Sequence, residues 1–395
     1  MRICDVTDAY HATSGGIRTY IDQKIRCIRS STDFEHVLVV PAARDHHEQD
    51  GRTQVFGVAS PRIPGCSPYR VMLRHGRIAD ILDRVRPDVI ELGNPYFQPR
   101  AARRFKARYA AVLAGFYHTD FPRAYVEATL GRRLGARVAR SAGKAASRYA
   151  RYVHANLDFT IVSSPALERR LSWLGFPRVE LVPLGVDTEL FHPGKRDFAW
   201  RRQHGVLDED LLLVFAGRLD REKRIGVLLD MMERLPPGLP AKLAILGQGP
   251  QASLVERAAA ENPRILALPF EQDRSRFARC LASADIYVSA ARFETFGLSV
   301  IEAQASGLPV VGQRAGAMID RVPPSTGILV SEPDPEALAA AVVRITQDDF
   351  REMGRIARRL VETQNTWDRT FTRLFGLYEA GLRTPARNAH APRSV

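Results

Sequence analysis

Cysteine is scarce in this chain of 395 residues: Cys4, Cys27, Cys66 and Cys280 are the only four, and they are scattered. They form no Cys-x-x-Cys pair and no cysteine–histidine cluster, which argues against a structural zinc and fits a reducing compartment. Long apolar runs are missing too. No window approaches the roughly 18 apolar residues that a membrane-spanning helix needs. The start, Met-Arg-Ile-Cys-Asp, lacks the apolar stretch of a secretory leader. A cytoplasmic location is the expectation, with a peripheral position on the inner face of the membrane left open. Negative charge is in deficit: 57 lysines and arginines outnumber 44 aspartates and glutamates, for a formal net charge of +13. That sign favours an anionic partner, whether a nucleoside diphosphate, a nucleic acid or an anionic membrane, and says nothing of fold. There is no Walker sequence, which excludes an ordinary nucleotide triphosphatase site, and no metal is expected.

What the chain does have is a repeated alternation of short apolar runs with helical stretches. In the first half the runs 2–6, 37–40, 88–92, 111–116, 159–162 and 179–182 read as strands; in the second half, 211–215, 242–246, 265–267, 286–289, 309–311 and 328–330. Strands alternating with helices indicate parallel sheets flanked by helices. The pattern restarts after Pro183-Leu-Gly-Val-Asp187, and a polar stretch over 192–210 separates the halves. The expected fold class is α/β, with two Rossmann-like doubly wound domains, 1–188 and 189–365, facing across a cleft. A last helix over 366–383 carries Phe371, Leu374, Phe375 and Tyr378 at helical spacing and is expected to pack across the domain boundary. The remainder, 384–395, is expected to be a disordered tail.

Six segments can carry chemistry. The strongest is Arg-Phe-Glu294-Thr-Phe-Gly-Leu-Ser-Val-Ile-Glu302. A strand runs into it, so one carboxylate sits on the loop leaving that strand and the other on the first turns of the next helix. Carboxylates so placed can grip hydroxyl groups, and a sugar nucleotide offers hydroxyls at both ends. Gly217-Arg218-Leu-Asp220-Arg-Glu-Lys223 follows another strand. Arginine suits bidentate phosphate contact and lysine adds a mobile point charge, although a solvated charge cluster is the plain alternative. Gly15 and Gly16 stand between the first strand and a helix, where helix amides can face an anion, with a tight turn as the plain alternative. Gly247-Gln-Gly249 is a second strand-to-glycine junction, open to a base or ribose or simply a turn. Phe270 ends the next strand unit, where the rim of a nucleobase could sit. His118, in Phe116-Tyr-His118-Thr-Asp120-Phe-Pro122, leaves a strand and reads as a general base, an orienting contact or a satisfied core group.

Taken together, these segments resemble the retaining glycosyltransferases of family 4, with the B-type two-domain fold. The likeness covers nearly the whole chain: Gly15-Gly16, the His118 segment, Pro183 to Asp187, Arg218 with Lys223, Gly247-Gln-Gly249 and the Glu294/Glu302 pair occur in the family's order. The resemblance implies that the first domain serves the acceptor and the second binds the nucleotide sugar. It implies that Glu294 contacts the transferred sugar, that Glu302 holds the ribose, and that Phe296, Gly297 and Leu298 supply backbone contacts around sugar and phosphate. Arg218 and Lys223 then hold the diphosphate, Gly16 closes against it, and His118 lies near the sugar. The family usually has two glycines where this chain reads Arg314-Ala-Gly316-Ala317-Met-Ile-Asp320, which weakens any inference about which sugar is moved.

A basic stretch adds a partner to consider. Residues 123–151 carry seven arginines and one lysine against one glutamate. Arg133, Arg137, Arg140, Lys144, Arg148 and Arg151 fall on one helical face, with Leu134, Val138, Ala142, Ala145, Tyr149 and Val153 on a milder apolar face that reads as a packing face. A solvated face and contact with an anionic membrane through Arg133–Arg151 are both open. The expected activity is transfer of a hexose from a nucleoside diphosphate sugar, GDP-mannose or UDP-glucose type, to a hydroxyl on a lipid or glycan, with the α configuration kept. A sugar-phosphate phosphorylase or a nucleotide-sugar epimerase shares the expected fold. A nucleic-acid-binding protein is the non-enzyme alternative, and it lacks aromatics interleaved with the basic stripe.

Overall fold

A computed structural model describes residues 1–11, 15–63, 70–93, 99–120, 122–292, 294–332 and 334–383; the expected tail lies outside them, as do Cys66 and the side chains of Arg133 and Leu134. The chain forms two compact α/β units. The first comprises Met1–Ser163, Glu168–Val182 and the residues from Thr370 on; the second comprises Ser164–Leu167 and Pro183–Arg369.

The first unit is built on an eight-stranded sheet in the order β3-β4-β2-β1-β5-β6-β7-β8. Its strands are β1 (Arg2–Val6), β2 (Glu35–Ala42), β3 (His46–Asp50), β4 (Thr53–Ala59), β5 (Val89–Leu92), β6 (Val112–Phe116), β7 (Phe159–Val162) and β8 (Val179–Leu181). All pairings are parallel except β3 with β4. β6 is an apolar run, and β1 and β5 are apolar but for Arg2, Asp5 and Glu91, as expected where helices cover both faces of a parallel sheet. The apolar pattern gives no sign of β3, whose His-His-Glu-Gln-Asp is exposed throughout on the sheet edge.

The second unit has a six-stranded sheet, β11-β10-β9-β12-β13-β14. The strands are β9 (Leu211–Ala216), β10 (Ala241–Leu246), β11 (Ile265–Leu268), β12 (Ile286–Ser289), β13 (Val310–Gln313) and β14 (Gly327–Val330), all paired in parallel. Chain order reverses between β9 and β12, and in the first unit between β1 and β5. Doubly wound sheets bind ligands just beyond the carboxyl ends of their strands at such a reversal. The polar stretch after His192 is folded into this unit. Arg201 is fully buried there, donating to the carbonyls of Ser283 (2.8 Å), Leu207 (2.9 Å) and Asp210 (2.6 Å) and pairing with Asp285 at 3.1 Å.

The helix Trp367–Arg383 begins in the second unit and from Thr370 belongs to the first. There the Phe375 ring lies 5.5 Å from Phe34, Phe371 6.0 Å from Tyr20 and Tyr378 6.4 Å from Phe159. The Tyr378 hydroxyl donates to Glu91, a member of a buried polar cluster. Lys24 Nζ lies 2.8 Å from Asp5 and 2.9 Å from Glu91, and His36 Nε2 lies 2.6 Å from Asp5. Charges this deep persist because each has an opposite partner and hydrogen bonds.

The basic stretch is helical over Ala128–His154, but Gly135 interrupts it with φ 83° and ψ 164°. The continuous face expected from Arg133 therefore starts at Arg137. The buried residues beyond the break are the small Ala139, Gly143 and Ala150, followed by Val153 and His154 in the last turn. The expected packing face is corrected: Val138 and Tyr149 are each 47% exposed. Small side chains let this helix lie close to its neighbours, and Val138, Tyr149 and Tyr152 are left outside, next to the arginines.

Candidate active site

The loops leaving β9 and β12, the two strands at the reversal, carry the chemistry of the second unit. The β9 loop is shaped by backbone contact with the β10 loop: Gly217 N–H donates to Leu246 O (3.0 Å) and Leu219 N–H to Gln248 O (2.9 Å). A Cβ on Gly247 would sit 2.0 Å from Gly217 O, and Gly249, at φ +153°, would put one 2.8 Å from Leu219 O. Both glycines are thus required by the packing of two loops, before any ligand is considered. Arg218 projects from this loop, with Nη2 2.6 Å from Asp220.

Lys223 ends a single 3₁₀ turn, Arg221–Lys223, and its Nζ lies 2.7 Å from Glu294 Oε2. The two side chains are only 17% and 18% exposed. Burial works against the lysine charge, but the adjacent Glu294 carboxylate outweighs it and holds the ammonium above its ordinary pKa. Glu294 Oε1 accepts from Gly297 N–H at 3.1 Å. Gly297, at φ +79°, precedes the helix Leu298–Ala305, so this carboxylate also faces a helix amino terminus, where negative charge is favoured. The Glu294 carbonyl accepts from Ala317 N–H at 2.8 Å, and Gly316 lies directly against it: a Cβ there would be 2.4 Å from that oxygen. Nearby, Ser164 Oγ donates to Thr295 O at 3.0 Å, and Asp320 accepts from Ala166 N–H at 2.7 Å. Tyr287 on β12 joins the two strand ends. Its hydroxyl donates to Ala216 O at 3.2 Å and lies 2.9 Å from Ser299 Oγ, and burial pushes its pKa up to about 12.

Glu302 sits within the same helix as Leu298, with its side chain 5% exposed and paired to Arg274. Burial raises its pKa and Arg274 opposes the rise. Phe296 is buried beneath Arg321, whose guanidinium lies 4.2 Å from the ring centroid; burial lowers the Arg321 pKa to about 10. Phe270 is exposed beyond β11. Two open depressions of this unit, one lined by Arg234, Glu336 and Arg344 and one by Lys195, Asp197 and Arg279, hold none of the expected site residues.

In the first unit, Gly15 is exposed at the start of helix Gly16–Ser31, and a Cβ there would meet nothing within 4 Å. His118 stacks on Phe116 with ring centroids 4.0 Å apart and lies 5.6 Å from Tyr20. Burial first, and then the Lys24 charge, lower its pKa to about 3. A neutral imidazole of such weak basicity suits an orienting contact better than a general base. Among the expected residues, Lys223, Glu294 and Gly297 are in direct contact. Sequence reasoning missed Arg274, Tyr287 and the support that Gly316 gives to Glu294.

Comparison with known proteins gives the family and the fold. A family model described as Glycosyltransferase Family 4 matches residues 14–190, and one described as Glycosyl transferases group 1 matches residues 210–348. A GDP-mannose-dependent alpha-(1-6)-phosphatidylinositol dimannoside mannosyltransferase of Mycobacterium tuberculosis is 32% identical over 93% of this chain and 93% of its own length. The chain belongs to the family 4 glycosyltransferases. A GDP-mannose-dependent alpha-mannosyltransferase of Corynebacterium glutamicum is 27% identical over 96% of this glycosyltransferase and 88% of its own length. Among solved structures, the sucrose-phosphate synthase of Thermosynechococcus elongatus aligns with a TM-score of 0.77 at 20% identity, covering 96% of this chain and 99% of that one. Anabaena HepE in complex with UDP gives 0.74 at 15% identity, covering 96% and 100%. These likenesses show the B-type two-domain fold, and the family makes the protein a nucleotide-sugar-dependent glycosyltransferase. Among the described residues, no group of three or more His, Cys, Asp or Glu side chains could hold a metal ion, and no helix is long and apolar enough to cross a membrane.

Proposed function

We propose that this glycosyltransferase moves mannose or a closely similar hexose from a nucleoside diphosphate sugar to a hydroxyl of a lipid or glycan acceptor, with retention of the α configuration. The observation that carries the reading is the Lys223–Glu294 contact at the strand-order reversal. It sets a cation for a departing phosphate beside a carboxylate for sugar hydroxyls. GDP-mannose is the donor to test first, because the mycobacterial and corynebacterial relatives are named as GDP-mannose-dependent; UDP-glucose is the second.

The C1–O bond to the diphosphate breaks as positive charge develops on the sugar ring. Arg218 and the three N–H donors of Lys223 stabilise the negative charge gathering on the leaving phosphate. The acceptor oxygen bonds to C1 on the face the phosphate leaves, and its proton passes to a phosphate oxygen. Glu294 holds hydroxyls of the transferred sugar, Glu302 holds the ribose, and Phe296, Gly297 and Leu298 supply backbone contacts around sugar and phosphate. Gly247, Gly249 and Phe270 border the nucleotide. In the first unit we assign His118 and the Gly15–Gly16 helix start to the donor.

A lipid acceptor agrees with the exposed side of the Ala128–His154 helix. Arg137, Arg140, Lys144, Arg148 and Arg151 form a cationic ridge there, next to an apolar one of Val138, Ala145, Tyr149 and Tyr152. Cations beside exposed aromatics suit an anionic lipid surface. The test is release of the nucleoside diphosphate from GDP-mannose and UDP-glucose with and without acceptor lipid. Release that depends on acceptor, with an α linkage by NMR, supports the reading; release without acceptor, or a β linkage, contradicts it.

A further inference from the structure

Glu302 combines two features that need a joint explanation. Its neighbours Val300, Ile301 and Ala303 are buried with it, and a carboxylate in such a place gives up its charge unless a cation attends it. Yet only half of the group is engaged. Arg274 Nη2 donates to Oε1, while Oε2 receives no hydrogen bond among the described residues.

Arg274 is held for this contact. It is the first residue of helix Arg274–Ala282, where the helix dipole disfavours a cation. Asp273 does not pair with it; that carboxylate caps the helix by accepting from the N–H groups of Ser275 (2.8 Å) and Arg276 (3.2 Å). The guanidinium lies 4.9 Å from the Phe191 ring centroid and 5.3 Å from that of Phe277, and the two rings meet edge to face at 5.9 Å. Phe191 is itself anchored, its N–H donating to Asp187 O (2.8 Å) and its carbonyl accepting from Arg358 (2.9 Å). Two aromatic faces thus set the position of the cation, and the cation sets that of the carboxylate.

We propose that Arg274 is a positioning residue of the nucleotide half of the donor site: it fixes Glu302 through Oε1 and leaves Oε2 to accept the ribose hydroxyls. The inference rests on the reading of Glu302 as the ribose-holding group. An ionised carboxylate is an acceptor only, which matches a pair of hydroxyl donors; a protonated one has less acceptor capacity. A lysine could supply charge at this position but not the flat guanidinium that stacks on Phe191 and Phe277.

The experiment compares calorimetric affinities of GDP and UDP with those of their 2′,3′-dideoxy counterparts, in the wild type, Arg274→Met and Arg274→Lys. Methionine keeps apolar contact with the two rings and removes the charge. In the wild type the ribonucleotide is expected to bind about 10- to 100-fold more tightly than its dideoxy form, the range for hydrogen bonds to a charged group. In Arg274→Met that ratio should fall to about threefold or less, with dideoxy affinity near wild type, because only the ribose contact is lost. Arg274→Lys should restore part of the ratio, and it keeps the test decisive if the methionine variant fails to fold. A wild-type ratio retained in both variants overturns the role of Arg274 and leaves Glu302 standing. A wild type that does not distinguish ribose from dideoxyribose overturns the Glu302 reading, and the Arg274 proposal with it.

Discussion

Replacing Gly316 by alanine perturbs the position of Glu294 through its main chain. Gly316 has φ +56°, and an added Cβ would stand 2.4 Å from the Glu294 carbonyl oxygen. A side chain in the left-handed region costs about 1–2 kcal/mol, and overpacking of a tight contact about 1–3 kcal/mol. Since a methyl carbon needs about 3.0 Å, the Glu294 peptide must retreat by roughly 0.6 Å if the fold is kept. Two contacts then loosen: Lys223 Nζ on Oε2 at 2.7 Å and Gly297 N–H on Oε1 at 3.1 Å. A displacement on the order of 1 Å can lower a rate about 100-fold, so kcat for sugar transfer should fall by about 10- to 100-fold. Affinity for the free nucleoside diphosphate, which lacks the sugar, should stay close to wild type. Melting temperature should fall by several degrees, at about 2–4 °C per kcal/mol for a domain of this size. Gly205→Ala is the control. Its φ is +68°, but the nearest atom to an added Cβ is Lys242 Nζ at 3.7 Å, so it carries strain without the clash. The assays are steady-state turnover, calorimetry with nucleoside diphosphate and thermal melting on all three proteins. Wild-type kcat in Gly316→Ala, or an equal loss in Gly205→Ala, would refute the reasoning.

Further outcomes are expected. Lys223→Met removes a cation from the departing phosphate and should lower kcat by about 100- to 1,000-fold; near-normal single-turnover rates in Lys223→Met and Arg218→Ala would contradict the leaving-group assignment. Glu294→Gln should lose most sugar transfer while nucleoside diphosphate still binds in calorimetry, and the reverse pattern would exchange the roles of the two glutamates. His154 is buried, and burial lowers its pKa from 6.5 to about 3. The folded state therefore binds fewer protons than the unfolded one across that window, so the contribution to stability is full above the unfolded pKa and is lost as pH falls. Melting temperature should drop below about pH 6.5, less steeply in His154→Gln; equal slopes would rule this out. Tyr149 and Tyr152 lie beside the cationic ridge, and Tyr152 is 64% exposed. Arg148→Glu with Arg151→Glu should abolish co-sedimentation with anionic vesicles at low salt and leave neutral vesicles unaffected, whereas unchanged binding to anionic vesicles would remove the membrane reading.

Sequence pattern revealed the strands buried on both faces, because a parallel sheet between helices makes each one an apolar run. It failed at the outer edge of the first sheet. β3 is wholly polar and exposed, and β4 carries a glycine at Gly57, where a Cβ would strike the His46 ring. In the site, Lys223 and Glu294 were legible because charged residues followed strand ends in a doubly wound pattern. The support beneath them was not. Gly316 owes its identity to close approach with Glu294, and Arg274 to aromatic rings at 191 and 277, contacts that only the folded backbone creates. Lys24 lies in a helical stretch with nothing in the sequence to mark it, and it is fully enclosed between Asp5 and Glu91. The Ala128–His154 helix was misread for a related reason: apolar bulk was equated with burial, whereas its glycine and alanines make the close contact and Tyr149 faces water.

The most direct measurement is a crystal structure of the protein with an intact, unreacted donor sugar nucleotide. The account predicts diphosphate oxygens within hydrogen-bonding distance of both Arg218 and Lys223, hexose hydroxyls on Glu294 and ribose hydroxyls on Glu302. A diphosphate bound away from Arg218 and Lys223, with the Lys223–Glu294 pair undisturbed, would contradict it.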